Sequence, residues 1–282
     1  MNTGNIMARI GVWIIAALGV LLSVGTATAA QPVPWQMDLQ PAATSHMQAI
    51  IDFHWMLVII ITAISVFVLA LLLWIMVRYN ASANPVPAKF SHNTLIEVVW
   101  TVVPIIILIV IAIPSIRVLY DGDVIPKADM TIKVSGLPSW GWTYTYPDHG
   151  DFSFNSFMVR DKDGKPAGEP RLLAVDNQMV VPVGKVVRML VTSQPGGIIH
   201  AWAVPAFGVK TDAVPGRMNE TWFKAERTGT FYGQCSELCG VNHAYMPIAV
   251  KVVSDDEFKA WTDEAKKQFG SNDDNSAKVA QR

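Results

Sequence analysis

Charge and cysteine are both scarce in this 282-residue chain. Only 16% of the residues are charged, against 51% hydrophobic, an apolar excess for a wholly soluble chain. The 22 basic and 23 acidic side chains nearly cancel, leaving a net charge of −1. There is no basic surplus to neutralise phosphates, so no nucleic-acid partner is expected. The two cysteines allow one bridge at most, and no Cys-x-x-Cys-His sequence is present for covalent haem attachment. No internal repeat is visible.

The apolar excess is concentrated in three runs near the front. The first covers residues 10–24, follows Arg9 and ends in Ala27-Thr28-Ala29-Ala30. A short apolar core followed by small residues reads as a secretory signal over residues 1–30, cleaved after Ala29 or Ala30. An uncleaved first membrane helix is the alternative. The second run (56–77) and the third (98–116) are each long enough to cross a hydrocarbon core of roughly 30 Å at about 1.5 Å per residue. They define a transmembrane hairpin over residues 51–120, preceded by an exported segment, 31–50. Arg78 and Lys89 lie in the loop between the two runs, whereas residues 31–52 carry no Lys or Arg. The positive-inside rule therefore places the loop in the cytoplasm and both outer ends outside. Pro104 and Pro114 in the third run are tolerable where neighbouring groups satisfy the freed carbonyls. Glu97 stands at the cytoplasmic entrance of that run. It is either an interfacial carboxylate favoured by a helix N-terminus or a functional ionisable group.

Beyond residue 121 polar and turn residues return. Short β-rich stretches at 130–134, 140–146, 179–182, 186–192, 200–204, 220–225, 229–234 and 247–253 predict a sandwich or barrel. Ser254-Asp-Asp-Glu257 is a capping-box pattern that starts a helix over 254–268. Residues 269–282 form a polar tail expected to be disordered, and residues 155–170 read as a surface excursion.

Both cysteines lie in Cys235-Ser-Glu-Leu-Cys239-Gly-Val-Asn-His243-Ala-Tyr-Met246. A disulfide is the simplest reading for two cysteines in an exported domain, but it leaves His243, Met246 and the upstream His200 without a role. A structural zinc site draws on Cys and His, commonly as two close pairs. Two thiolates, imidazoles and a thioether form a soft set, and the methionine points to copper.

Cys-Ser-Glu-Leu-Cys-Gly-x-Asn-His-x-x-Met-Pro resembles the binuclear copper A loop of subunit II of haem–copper cytochrome c oxidases. The segment from His200 to Arg217 resembles that family's other ligand-bearing stretch, and Trp100-Thr-Val-Val-Pro104 and Ile113-Pro-Ser115 match its hairpin. The resemblance runs from about residue 47 to about residue 262. It implies a membrane α-hairpin plus an all-β domain: two transmembrane helices followed by a cupredoxin-like Greek-key β-barrel, residues 121–268, with the ligand loop between the last two strands. It implies Cys235 and Cys239 bridging two copper ions, with His200 and His243 as terminal imidazoles. Met246 and the Glu237 carbonyl are then the weak axial donors, and the Glu237 carboxylate helps hold magnesium or manganese at the subunit I interface. Asp212 and Arg217 fall on the same polar interface. Trp140 matches the residue where electrons from cytochrome c enter, and Glu97 the mouth of a proton path continuing in subunit I.

The implied activity is electron entry to a terminal respiratory oxidase, with oxygen chemistry in subunit I. The implied partners are subunit I and the other oxidase subunits, cytochrome c and membrane lipid. The implied location is a bacterial inner membrane, with the copper domain on the periplasmic side. Two departures stand out. Gly141 follows Trp140 where the family has Tyr, and residues 192–199 lack the acidic pair often found before the first histidine. Asp148, Asp151, Asp161 and Asp163 are the remaining candidates for docking a basic donor. A quinol oxidase subunit, a nitrous oxide reductase and a copper carrier are the rivals. The intact ligand set argues against the first. The chain length and only six histidines argue against the second, and the Trp140 segment against the third.

Overall fold

The computed structural model describes residues 30–160 and 168–270. The signal segment read over residues 1–30, except Ala30, the tail beyond Gly270, and Asp161 and Asp163 lie outside the described residues.

Two long helices lead the fold, α1 (Ser45–Arg78) and α2 (Thr94–Asp123). At about 1.5 Å per residue they extend roughly 51 and 45 Å, well beyond the apolar runs. Side-chain caps account for the extra turns. Thr44 accepts from Met47 N at the start of α1, and Asn93 accepts from Ile96 N at the start of α2. Both serve amide groups that lack a helical partner. Pro104 and Pro114 sit inside α2 without ending it. The helices pack on each other but bury almost nothing else. Their middles are apolar on every side and exposed, the pattern of helices whose solvent is lipid or another membrane chain. They are membrane spans.

The β-domain has ten strands: β1 (Met130–Leu137), β2 (Gly141–Tyr146), β3 (Phe152–Ser156), β4 (Met179–Pro182), β5 (Val186–Ser193), β6 (His200–Val204), β7 (Val209–Ala213), β8 (Asn219–Lys224), β9 (Gly229–Gln234) and β10 (Pro247–Val253). They form a five-stranded sheet in the order β3-β2-β1-β5-β8, a three-stranded sheet β4-β10-β9, and the hairpin β6-β7. The β1–β5 and β4–β10 pairs are parallel and the others antiparallel. The sheets close on one core without a continuous hydrogen-bond ladder, so the expected barrel is a cupredoxin-like sandwich of sheets. Fully buried Trp142, Tyr144, Trp202, Phe207 and Phe231 fill it. Hydrogen bonds from buried aromatic side chains tie the layers together. Trp202 Nε1 donates to Tyr144 Oη at 3.4 Å, and Tyr146 Oη donates to the Val180 carbonyl at 2.9 Å.

Strands β3 and β7 fall where no strand was read from the sequence. In β3, Phe152 and Phe154 point inward and Ser153 outward, an alternation too short to stand out. In β7, Val209-Lys-Thr-Asp-Ala213 has only its two ends buried. The helix α3 (Asp255–Phe269) starts at the foreseen capping box, with Ser254 and Glu257 bonding reciprocally. Its Trp261 packs on Tyr146 and Phe152.

The hairpin joins the domain below β6. Ala43 N donates to Ala206 O at 2.8 Å and Thr44 Oγ1 to Phe207 O at 2.9 Å. A Cβ on Gly122 or Gly208 would press on the His46 ring, at 2.8 and 3.1 Å. Both positions are thus held to glycine by close approach. Strand β6 leads from this joint to His200 at its other end. At about 3.3 Å per residue the histidine stands roughly 16 Å from the joint.

Candidate metal centre

Two connections, β5–β6 and β9–β10, bring the donor residues together at the end of the domain away from the hairpin. His200 opens β6 and is fully buried. Cys235 follows β9 directly, His243 opens a short 3-10 turn (His243–Tyr245), and Met246 immediately precedes β10. The antiparallel pairing of β9 with β10, Gln234 opposite Pro247, pins both ends of the ligand loop.

The donor atoms converge. Cys235 Sγ lies 3.8 Å from Cys239 Sγ, 3.9 Å from His200 Nδ1 and 3.3 Å from the Glu237 carbonyl oxygen. Cys239 Sγ lies 3.5 Å from both His243 Nδ1 and Met246 Sδ. Both cysteines are free and buried, so the disulfide reading is not the one the structure adopts. A sulfur–sulfur distance of 3.8 Å is below twice a metal–sulfur bond of about 2.3 Å, so one ion can touch both. Every residue the sequence implied as a copper donor is therefore in this cluster. The two thiols, two imidazole nitrogens, thioether and carbonyl form a soft set of the kind copper prefers. Among the described residues, His200, Cys235 and Cys239 are the one group of three His, Cys or acidic residues with donor atoms within 4.8 Å of one another.

The surroundings fix these groups. Trp142 packs edge-on against the His200 ring at 5.8 Å, and its Nε1 donates to the Met246 carbonyl at 3.3 Å. Gly136 leaves room for the imidazole: a Cβ there would lie 2.4 Å from His200 Cδ2. Burial, helped by His243 and opposed by the Leu137 backbone, lowers the pKa of His200, favouring the neutral ring that binds metal. Burial, with Cys235 beside it, pushes the Cys239 thiol up to about 12. That thiol keeps its proton in neutral solution unless a cation displaces it. Gly136 and Trp142 escaped the sequence reading as parts of the site. Trp142 also packs in the domain core, where it is fully buried.

Trp140 does not belong to the stripe formed by Trp142, Tyr144 and Tyr146. It precedes β2 in a turn at φ 59° and is only partly buried. Its Nε1 donates to the Cys239 carbonyl at 2.9 Å, and its ring covers Gly240, whose added Cβ would meet Cζ2 at 3.1 Å. Glu237, Asp212 and Arg217 are exposed. Asp148 accepts from Thr131 N at 2.7 Å and so ties down β1. Glu97 lies in the first turn of α2, roughly 38 Å along the helix from Gly122 at about 1.5 Å per residue. The metal cluster and Glu97 are thus at opposite ends of the molecule.

A two-span membrane anchor bearing a cupredoxin-like metal domain is the class defined by this fold and site. The model for "Cytochrome C oxidase subunit II, periplasmic domain" matches residues 130–253, and that for "Cytochrome C oxidase subunit II, transmembrane domain" matches residues 32–118. A Rickettsia bellii protein described as "Probable cytochrome c oxidase subunit 2" is 49% identical over 267 residues, covering 95% of this chain and 97% of its own length. "Cytochrome c oxidase subunit 2" of Cereibacter sphaeroides is 44% identical over 278 residues, covering 87% of this chain and 88% of its own. The crystal structure of the periplasmic domain of subunit II of cytochrome oxidase from Bradyrhizobium japonicum is 60% identical and covers 52% of this chain and 99% of its own, at a TM-score of 0.48. The chain belongs to the cytochrome c oxidase subunit II family, and it is a membrane-bound part of a terminal oxidase complex.

Proposed function

We propose that this chain is the electron-entry subunit of its oxidase. It accepts electrons from cytochrome c at a binuclear copper A centre and passes them to haem in subunit I, where oxygen reduction is coupled to proton translocation. His200, Cys235, Cys239, His243, Met246 and the Glu237 carbonyl would hold the two copper ions. When bound, copper would supply a one-electron couple, and the Cys235 and Cys239 thiols would be the residues in common reach of both ions. The chain's own contribution is rigidity and dryness. Three of the donor side chains, those of His200, Cys235 and Met246, sit on or directly beside β6, β9 and β10, and Trp142 walls off His200. Donors held this firmly move little when charge changes, and their apolar shell sets the potential.

The observation that carries the reading is the Trp140–Cys239 hydrogen bond at 2.9 Å. It gives a partly exposed π-system a direct bonded contact with the backbone of a metal-binding cysteine. The exposed Glu237 carboxylate would hold magnesium or manganese against subunit I, one residue then serving two ions through different oxygens. Glu97, at the N-terminal turn of α2, would open the proton path. Arg78 in the last turn of α1 supports a cytoplasmic hairpin loop, which puts the metal domain on the periplasmic side of a bacterial inner membrane.

Stopped-flow reduction of the assembled oxidase by cytochrome c tests the reading. Trp140→Ala should slow reduction of the metal on the order of tenfold, equivalent to about 1.4 kcal/mol of barrier, with the copper spectrum retained. An unchanged rate at low donor concentration would refute the entry role.

A further inference from the structure

The segment leading into α1 contains a feature that neither the metal centre nor the hairpin uses. It is fastened at both ends to the domain: Tyr232 N donates to Ala30 O at 3.1 Å, and Ala43 N to Ala206 O at 2.8 Å. Between these points residues 33–39 project as a loop, turned by a Gln36 N to Val33 O hydrogen bond of 3.3 Å. Four of the seven side chains are large, apolar and outward: Val33 is 53% exposed, Trp35 95%, Met37 98% and Leu39 39%. Single exposed apolar residues need no explanation, but four in one short loop do. Trp35 is reached through a backbone φ of 61°, a conformation uncommon outside glycine.

The depth of this loop is fixed by α1. Asp38 Oδ1 lies 3.9 Å from His54 Nε2. His54 is nine residues into α1, about 13 Å along it at about 1.5 Å per residue. The polar residues His46, Gln48, Asp52 and His54 crowd the start of α1. From Trp55 to Val77 no charged residue follows. The charge and hydropathy pattern therefore puts the outer edge of the hydrocarbon near His54, and the Asp38–His54 contact brings Met37 and Trp35, one and three residues before Asp38, close to that level. Trp55, 48% exposed, occupies the same depth.

We infer that residues 33–39 are a second, shallow membrane contact, in which Trp35 and Met37 enter the boundary between phospholipid headgroups and acyl chains beside α1. Tryptophan favours this zone because its ring is apolar and its N–H can reach a polar group. The loop carries no Lys or Arg, so the contact depends on apolar insertion and not on anionic lipid. The surface it meets is continuous with the one that surrounds the spans.

The test is site-specific photo-cross-linking in the assembled oxidase within native membranes. Trp35→p-benzoylphenylalanine is irradiated and the adducts are identified by mass spectrometry, with the same probe at exposed Lys259 of α3 as the aqueous control. Phospholipid adducts at position 35 and none above background at 259 are expected. Adducts to a neighbouring polypeptide would overturn the inference and make the loop a subunit contact. An absence of adducts at 35, matching the control, would overturn it as well and leave the loop in water. Assembly is checked independently by the copper spectrum, since residue 35 is remote from the ligand loop.

Discussion

Gly136→Ala tests the site through a residue that binds nothing. Gly136 lies in β1 between Trp142 on one side and Ser193 on the other, outside the left-handed backbone region, so alanine is conformationally acceptable there. Its new Cβ would stand 2.4 Å from His200 Cδ2 and 3.0 Å from Cγ. Carbon atoms rest at about 3.5–4.0 Å, so the imidazole has to retreat by roughly 1 Å. It has little space to do so, because His200 is fully buried and Trp142 stands against it. Metal–ligand distances tolerate about 0.2 Å, so the ring leaves its coordinating position while both thiols stay in place. Overpacking of this kind costs about 1–3 kcal/mol. In a domain of this size that lowers the melting temperature by roughly 2–4 °C per kcal/mol. The chain should still fold, with far-ultraviolet circular dichroism near the parent's, but copper content should fall or the electron paramagnetic hyperfine pattern change. A full copper complement with an unaltered spectrum would show that His200 is not a ligand, or that β1 yields more readily than its sheet contacts allow.

Met246→Leu should keep copper bound and raise or lower its reduction potential, as expected of a weak axial donor; protein-film voltammetry giving the parent potential would remove Met246 from the ligand set. Ser254→Ala removes the hydroxyl that caps Glu257 N at the start of α3, leaving the Ser254 N to Glu257 carboxylate bond, and should cost about 1 kcal/mol, read as faster hydrogen exchange across Asp255–Phe269; unchanged protection would mean the docked face of α3 is enough by itself. His149 packs edge-on against Phe258 at 5.2 Å, and burial, opposed by Asp148 and reinforced by Lys266, lowers its pKa. The unfolded chain therefore binds a proton there before the folded one does, so stability is complete above about pH 6.5 and falls as pH drops through that value toward the folded pKa. His149→Gln should flatten part of this acid loss in α3 exchange protection, and an identical pH profile would move the loss to the other histidines shifted by burial, His46 and His200.

The metal cluster was readable because its chemistry is local. Two cysteines, one histidine and one methionine fall within twelve residues, and no other reading uses all of them. Helix positions were also legible, since membrane spans announce themselves by unbroken hydropathy. Their ends were not, because capping by Thr44 and Asn93 adds polar turns that hydropathy does not register. Strands β3 and β7 were hidden for a different reason. Each buries only two or three alternating side chains, and each depends on a neighbour distant in sequence to make it a strand. Gly136 and Trp142 were silent as site residues for the same cause: what they do is set by a partner 64 or 58 positions away, His200. Trp140 was misplaced on the strand because alternation with Trp142 continues through it, whereas its left-handed backbone turns the ring onto Gly240.

The division of the ligand set between one loop and one remote strand bears on how the centre is assembled. Cys235, Cys239, His243 and Met246 lie in a single short connection, so gathering them closes only a small loop of chain. His200 sits 35 residues upstream of Cys235 and reaches them only when the β6–β7 hairpin is seated on the core. Loop-closure entropy grows slowly with length, so the difference is less one of cost than of sequence in time. A half-built domain can present four of the side-chain donors, but only a finished one presents the fifth. Full coordination therefore certifies that the tertiary structure is complete, and an incompletely folded copy is marked as such by a centre that holds its metal weakly.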